Sequence, residues 1–317
     1  MSGVRDELAR LLAQGERPAL ATVVAVRRSA PRPVGSKLVV SEGGELYGSV
    51  SGGCVESDVA VQAAEVIAGG EPRLLTYGIA DDEAWEIGLP CGGEIDVFVQ
   101  RLEGELPEGE GVLVTCLAGE RAGRQELLPR GSAEPGVQEL DGETVFAEVL
   151  AEPPRLVVVG ATDTAEELCR AAGSLGWRSV VIDPRSRLAT RGRLPSAVEI
   201  VVSWPDALEA DEDSAVVVLT HEERLDVPAL TAALASDAFY VGAIGSRKTQ
   251  TKRRERLLDA GASEDALERL SGPAGLDLGA QSPAETAVSI LAEILAVRAG
   301  RDGGRLRERS GPIHAVT

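Results

Sequence analysis

Histidines, aromatic residues, cysteines and long apolar runs are all scarce in this chain of 317 residues. Aromatic residues make up only 3% of the sequence, so the core must be built from Val, Leu, Ile and Ala. The two histidines, His221 and His314, and four cysteines without a closely spaced pair argue against an ordinary zinc site. Four cysteines in a chain of this length also do not indicate a disulfide framework.

Long apolar segments are missing as well. No run approaches the roughly 20 residues that a membrane-spanning helix needs. The N-terminus, Met1 to Gln14, alternates charged residues with Leu and Ala at helical spacing and lacks the pattern of a signal peptide. These features predict a cytoplasmic protein with no membrane partner.

Basic residues are few relative to acidic ones, at 32 against 51, so the formal net charge is −19. Such a charge repels nucleic acid and anionic membranes, although a local basic patch can still hold an anion. No nucleic-acid partner is therefore expected. Solubility or a salt-adapted proteome explains the excess acid equally well. Glycine, in contrast, is abundant, and 36 glycines indicate many tight turns and close backbone approaches.

Residues 1–152 alternate short β-rich runs with glycine-rich turns, which predicts an N-terminal α+β domain with a largely antiparallel sheet. An opening helix ends at Gly15, and a helical stripe runs from Glu56 to Ile67. Residues 103–152 are rich in Glu, Gly and Pro and are expected to form surface hairpins leading into a linker. The predicted strands are Ala19 to Val26, Lys37 to Val40, Leu46 to Val50, Ile95 to Val99 and Val112 to Cys116.

Residues 153–317 follow a different rhythm. The boundary is placed at Glu152-Pro153-Pro154, because paired prolines stiffen the chain and cannot continue a helix. Leu156 to Val159 is fully apolar, as expected of a strand buried on both faces. Helical segments separate several of the later strands, which predicts a Rossmann-like C-terminal domain with a parallel, doubly wound sheet. The fold class of the whole chain is therefore α/β.

A turn after the first strand of this second domain occupies the place where nucleotide-binding folds hold a phosphate. Gly160 opens the turn, and Asp183 ends the next strand, about where a ribose hydroxyl would be bound. Thr162, however, replaces the glycine that lets a pyrophosphate approach, and Asp163 adds a negative charge. Either this is only the tight turn of the fold, with Thr162 or Asp163 capping the helix, or it holds a nucleotide or pterin phosphate.

Two cysteines each lie beside a glycine pair, one in Gly52-Gly53-Cys54 and the other in Cys91-Gly92-Gly93. A thiol at a helix N-terminus has a lowered pKa, and neighbouring backbone N–H groups suit an anionic ligand. Each cysteine alone could equally be a small buried hydrophobic residue. Their shared pattern favours one thiol site open to a soft metal or a sulfur ligand, whereas Cys116 and Cys169 are expected in the core.

Further candidates follow the later strands of the Rossmann-like domain. His221 comes after an apolar strand, where it is either a core-edge residue or a ligand-contacting, proton-shuttling group. Ser246 and Arg247 follow the next strand at a helix start, where an anion is favoured. The basic residues after them are typical of a solvated helix face.

Several motifs resemble the xanthine dehydrogenase accessory family, also called the XdhC/CoxI family. They span nearly the whole chain in family order. They are Gly48 to Glu56, Tyr77-Gly78, Asp81 to Glu83, Trp85, Gly88 to Gly93, Val181 to Arg185, Leu219 to His221, Tyr240 to Arg247, Gly275 to Ala280 and Ser282 to Ile290. The chain departs from the family at Thr162 and Asp163, where members often carry a second glycine and a histidine.

The resemblance implies a molybdenum cofactor chaperone that binds the cofactor, shields it during sulfuration and passes it to an apo-molybdoenzyme of the xanthine dehydrogenase type. On this interpretation Cys54 and Cys91 contact the molybdenum or its sulfur, and a cysteine desulfurase is a further partner. A homodimer is expected on base rates. Two alternatives remain, namely an NAD(P)-dependent oxidoreductase and a structural partner of the molybdoenzyme without a small ligand.

Overall fold

A computed structural model of the chain describes residues 2–28, 30–78, 93–107 and 109–310. Internal contacts divide the chain into two compact units, one formed within Met1–Glu152 and one spanning Pro153–Arg309. None of the helices in the described ranges combines the length and the apolar composition that a membrane span requires.

The first unit is built around a five-stranded antiparallel sheet with strand order β3-β2-β1-β5-β4. Its elements are α1 Ser2–Ala13, β1 Ala19–Arg27, β2 Lys37–Val40, β3 Leu46–Gly48, α2 Glu56–Ile67, β4 Arg73–Tyr77 and β5 Glu94–Arg101. The central strand β1 is buried along most of its length, and its side chains point alternately to the two faces of the sheet.

Each face of this sheet has its own packing partner. Helix α2 buries Val59, Ala63 and Val66 against one face, as its predicted helical stripe requires. Helix α1 places Leu8 and Leu11 on the other face. The helix predicted from Glu56 to Ile67 is thereby confirmed, and its first residue follows directly on the Cys54 segment.

A second, four-stranded antiparallel sheet lies in the same unit, with order β7-β6-β9-β8. Its strands are β6 Gly111–Cys116, β7 Gln125–Leu128, β8 Gly136–Leu140 and β9 Glu143–Leu150. The hairpins expected in residues 103–152 are present as β6–β7 and β8–β9, but together they form a sheet with a buried cluster of its own instead of lying on the surface and leading into a linker. Alternate residues of β6 and β9, including Val112, Val114, Val145 and Ala147, form a buried cluster that the many Glu and Gly residues of the segment mask in the sequence.

The second unit contains a six-stranded parallel sheet. Its elements are β10 Arg155–Val159, α3 Asp163–Ser174, β11 Arg178–Ile182, β12 Glu199–Val201, β13 Ser214–Val218, α4 Glu223–Ala235, β14 Tyr240–Ala243, α5 Arg247–Asp259, α6 Glu264–Glu268, β15 Leu270–Ser271 and α7 Pro283–Arg298. The order β12-β11-β10-β13-β14-β15 is the third, second, first, fourth, fifth and sixth strand of the unit, which is the Rossmann arrangement. The predicted Rossmann-like domain is confirmed.

Helices cover both faces of this sheet. Leu156 and Val158 of β10 pack with α3 and α7 on one side, while Val157 and Val159 pack with α4 on the other. A strand that is buried on both faces does not alternate polar with apolar residues. For this reason the sequence of β10 is a continuous apolar run. The order of strands reverses between β10 and β13, and ligands of this fold bind beside that point at the carboxyl ends of the strands.

Candidate functional site

The loop before α2 is folded around a single carboxylate. The backbone N–H groups of Val50, Ser51 and Gly52 donate to Glu56 Oε1 at 3.1, 2.9 and 3.1 Å, and that of Gly53 donates to Glu56 Oε2 at 2.8 Å. Glu56 also accepts hydrogen bonds from the hydroxyls of Ser49 and Ser51. Gly52 and Gly53 have φ angles of +78° and +109°, which glycine tolerates best and which let these N–H groups converge.

Ser51 links this carboxylate to Cys54. Its hydroxyl donates to Glu56 and accepts from the backbone N–H groups of Cys54 and Val55, each at 2.9 Å. The Ser51 side chain is fully buried. Helix α2 begins at Glu56 with Val55 as its N-cap, so Cys54 lies two residues before the helix instead of in its first turn.

The charge of Glu56 is strongly stabilised by these contacts. Partial burial acts to raise the pKa of the carboxyl, but the hydrogen bonds from Ser49 and Ser51 outweigh it and lower the pKa from its ordinary value of 4.5 to about 2. The position of Glu56 at the positive end of α2 acts in the same direction. The carboxylate is therefore an internal anion at neutral pH.

This geometry corrects one expectation and leaves another open. The N–H groups around Gly52 and Gly53 were expected to suit an anionic ligand, yet Glu56 already accepts them. The Cys54 thiol itself is exposed. An added Cβ at Gly53 would have nothing within 4 Å, which leaves open space beside the thiol for a bulky ligand.

The second cysteine motif lies mostly outside the described residues. Cys91 and Gly92 belong to the segment 79–92, about which the structure gives no placement, so the pairing of Cys54 with Cys91 stays a prediction. Gly93 is buried and leads directly into β5. The core positions of Cys116 and Cys169 are confirmed, because both are buried and burial raises the pKa of each thiol.

The backbone of the turn after β10 passes close to Thr220. Gly160 has a φ of +111°, and a Cβ there would lie 2.6 Å from Thr220 Cγ2. Thr162 is the N-cap of α3, and its hydroxyl accepts from Ala165 N–H at 3.2 Å. Asp163 is exposed and pairs with Arg193 at 3.1 Å. The capping alternative for Thr162 is thus confirmed.

Asp183 is fully buried, and both of its carboxylate oxygens accept hydrogen bonds from the chain itself. Oδ2 accepts from Ala161 N–H at 2.8 Å and from Arg185 Nη2 at 2.6 Å, while Oδ1 accepts from Arg185 N–H and Nε. Burial acts to raise the pKa of Asp183, but the Arg185 guanidinium outweighs it and lowers the pKa. The expectation that Asp183 binds a ribose hydroxyl stays a prediction, and both of its oxygens already accept hydrogen bonds from within the chain.

The side chain of Arg185 also forms an ion pair along the carboxyl edge of the sheet. Its Nη1 donates to Glu222 Oε1 at 2.6 Å. Arg185 follows β11 and Glu222 follows β13, so the pair passes the carboxyl end of β10, which lies between those two strands. A dinucleotide pyrophosphate would need this same edge of the sheet.

The remaining predicted residues also lie at this edge, since each follows a parallel strand. His221 is exposed and lies two residues before α4. Ser246 caps α5 by accepting from Thr249 N–H at 3.2 Å, and exposed Arg247 is the first residue of that helix. The structure thus places Gly160, Asp183, His221, Ser246 and Arg247 at one edge of the sheet, and the side chains of Asp183 and Ser246 have hydrogen-bond partners within the chain.

One basic residue of α5 does not belong to a solvated face. Arg253 is 3% exposed and pairs with buried Asp226 at 2.6 Å. Asp226 also accepts from the hydroxyl of Thr220, and Arg253 donates to Ile244 O at 2.9 Å. This buried network ties the ends of β13 and β14 to α4 and α5.

Sequence reasoning did not predict the structural roles of three residues that organise these sites, namely Glu56, Arg185 and Arg253. For Glu56 a signal existed, because a carboxylate three residues after a glycine pair can reach the N–H groups before a helix. Among the described residues, His, Cys, Asp and Glu do not gather into groups of three or more that could hold a metal ion.

Two family models match the chain. Residues 11–78 match the model described as XdhC and CoxI family. Residues 156–294 match the model described as XdhC Rossmann domain. The first match contains the Cys54 loop and α2, and the second contains the parallel sheet.

Individual proteins resemble the chain along most of its length. It is 30% identical to the molybdenum cofactor insertion chaperone PaoD of Escherichia coli (strain K12) over 90% of this chain and 85% of that protein. It is 27% identical to a probable xanthine dehydrogenase subunit of Bacillus subtilis (strain 168), covering 94% of this chain and 98% of that protein.

A solved structure shares the fold. The crystal structure of a xanthine dehydrogenase from Bacillus halodurans superposes with a TM-score of 0.76 and 25% identity, covering 95% of this chain and 97% of that one. Taken with the family models and the identity to the E. coli chaperone, these findings show that the chain belongs to the XdhC and CoxI family.

Proposed function

We propose that this protein binds molybdenum cofactor and delivers it to an apo-molybdoenzyme of the xanthine dehydrogenase type. The observation that supports the proposal most directly is the exposed Cys54 thiol on a rigidly bonded loop, in a chain 30% identical to a molybdenum cofactor insertion chaperone. The cofactor supplies its client with the metal centre needed for redox chemistry.

The residues of the Cys54 loop fit one end of such a cofactor and not the other. A cysteine thiolate is a soft ligand, suited to molybdenum or to its sulfur ligands. The open space at Gly53 gives a bulky group access to the thiol. The loop N–H groups, which a phosphate would use, are already bound to Glu56. Cys54 is therefore proposed to face the metal end of the cofactor, with Cys91 as its partner.

Shielding during sulfuration belongs to the same proposal. Sulfuration of the held cofactor requires access for a sulfur donor, which an exposed thiol allows. A cysteine desulfurase as sulfur donor and a homodimeric assembly are further predictions from the sequence.

The alternative of an NAD(P)-dependent oxidoreductase has the Rossmann strand order in its favour. Against it, Asp183 is bonded to Arg185, and Thr162 stands where the pyrophosphate-binding turn needs a glycine. The buried ion pair of Arg253 and Asp226 also has a structural role, because each charged group already has its partner within the chain.

The proposal is tested by client activation. Purified protein loaded with cofactor should activate an apo-molybdoenzyme faster than the same amount of free cofactor, because the bound form is protected until transfer. Metal-free protein should show no steady dehydrogenase turnover with NAD(P) and common alcohols, acids or purines. Steady turnover, or activation no faster than by free cofactor, would overturn the chaperone function.

A further inference from the structure

Six consecutive backbone N–H groups before α2 donate to the side chains of Glu56 and Ser51, and that of Gly52 also donates to Ser49 Oγ at 2.8 Å. Those of Val50, Ser51, Gly52 and Gly53 donate to Glu56, and those of Cys54 and Val55 donate to Ser51 Oγ. Successive N–H groups that converge in this way form a concave anion site. Here the anion is part of the chain, one residue beyond the end of the loop.

We propose that Glu56 is the positioning residue for Cys54, acting as an internal anion that fills this N–H ring and holds the thiol outward. The inference rests on the proposed function, since it assigns Cys54 the contact with the cofactor. The path from Glu56 to Cys54 has two steps. The Ser51 hydroxyl donates a hydrogen bond to the carboxylate, and this keeps its oxygen oriented to accept a hydrogen bond from the Cys54 N–H at 2.9 Å.

Both oxygens of Glu56 are needed for this arrangement. Oε1 accepts from Ser49 Oγ, Val50 N–H, Ser51 N–H and Gly52 N–H, and Oε2 accepts from Ser51 Oγ and Gly53 N–H. A carboxylate is acceptor-only, whereas the amide of glutamine carries two N–H donors. Glu56→Gln therefore keeps the size of the side chain but turns a donor toward the other donors of the loop.

The thiol of the loop is open to a ligand, whereas the backbone N–H groups of the loop are not. Its N–H groups are occupied by Glu56 and Ser51, so the loop presents a thiol to a ligand and no hydrogen-bond donors from Val50 to Val55. An anionic phosphate would have to displace the carboxylate before it could bind there. A soft metal or sulfur atom would not.

The test removes the internal anion and then supplies another. In Glu56→Ala, amide hydrogen exchange at Val50 to Gly53 should accelerate by about tenfold or more, because hydrogen bonds to a charged acceptor are among the stronger ones. Cofactor retention, measured as molybdenum and oxidised pterin in the purified protein, should fall by a similar factor. Added sodium acetate should restore both in part, while sodium chloride at the same ionic strength should not.

The chain offers a matched control in the second unit. Glu285 accepts from the N–H groups of Gln281 and Ser282 at 2.8 and 2.9 Å in the capping box of α7. Glu285→Ala removes a similar carboxylate from a helix start without touching the Cys54 loop. It should leave loop exchange and cofactor retention unchanged. If Glu56→Ala fails to fold, Glu56→Gln serves as the second variant with the same expected direction.

Three results would overturn the role of Glu56. They are unchanged loop exchange in Glu56→Ala, unchanged cofactor retention despite a loosened loop, and equal losses in Glu285→Ala. The exchange and acetate measurements need no cofactor. A failure of the proposed function, seen as client activation no faster than by free cofactor, is therefore distinguishable from a failure of the inference about Glu56.

Discussion

At the scale of single residues, the ionisation of Glu56 bears on the stability of the first unit. Its pKa in the folded protein is about 2, below the ordinary value of 4.5. A depressed carboxyl pKa adds stability that is present above pH 4.5 and is lost as the pH falls toward 2. The charge is thus constant over the physiological range, and the loop geometry does not depend on pH there.

This linkage can be measured by comparing the wild-type protein with Glu56→Gln. The free energy of unfolding should differ most above about pH 5, and the difference should shrink steadily between about pH 4 and pH 2, where the native carboxylate is protonated. Urea unfolding at several pH values provides both curves. Two curves that run parallel from pH 6 to pH 2 would show that Glu56 is not held as an anion.

The buried cysteines give a contrasting residue-scale prediction. Cys169 is fully buried between α3 and the sheet, and Cys116 lies in the core of the second sheet. Cys116→Ala and Cys169→Ala should each lower the free energy of unfolding by about 1–3 kcal/mol, because a cavity replaces the sulfur. Neither should change cofactor retention. A loss of retention at normal stability in either variant would place the thiol chemistry elsewhere.

At the scale of structural elements, the turn between β10 and α3 depends on its glycine. Gly160 combines a φ of +111° with a Cβ position 2.6 Å from Thr220 Cγ2. Gly160→Ala should therefore destabilise the second unit by about 1–3 kcal/mol. Gly173, in α3, is the matched control, because a Cβ there meets nothing within 4 Å. Gly173→Ala should be neutral or slightly stabilising in the same thermal unfolding experiment; equal losses in both variants would contradict the argument.

The same element predicts weak dinucleotide binding. Calorimetric titration of the wild-type protein with NAD should give a dissociation constant weaker than micromolar, that is, less than roughly 8 kcal/mol of binding free energy. Thr162→Gly combined with Asp163→Ala should improve binding only slightly, because neither change releases Asp183 from Arg185. Micromolar binding by the wild-type protein would show that the Arg185–Glu222 pair does not obstruct the site.

At the scale of the whole molecule, periodicity predicted the Rossmann-like unit and helix α2 of the first unit well. Strands such as Leu156 to Val159 are continuous apolar runs, and the buried stripe of α2 follows helical spacing. Of the second sheet, β6 was predicted as the run Val112 to Cys116, but β7 and β8 were not, because they are only partly buried, with no fully buried residue, and lie among many Glu and Gly residues. Pattern reasoning detects burial on a face, and these strands have little of it.

The candidate site was predictable only in outline. The glycine pair beside Cys54 predicted the position of the loop. From the sequence, however, the N–H groups of the loop were expected to be free for a ligand. The hydrogen bonds of Arg185 depend on where its side chain turns in three dimensions, and spacing alone does not specify that. The same applies to Arg253, whose long side chain reaches a buried carboxylate from what looks like a basic surface helix.

The measurement that tests the central claim most directly is the cofactor content of Cys54→Ser beside that of Cys116→Ala. Both proteins would be purified from cells that make the cofactor, and molybdenum and pterin would be quantified per chain at matched folding, checked by thermal unfolding. Since only Cys54 of this pair is exposed, Cys54→Ser should lose most of its cofactor while Cys116→Ala keeps it. Full retention in Cys54→Ser would contradict the account.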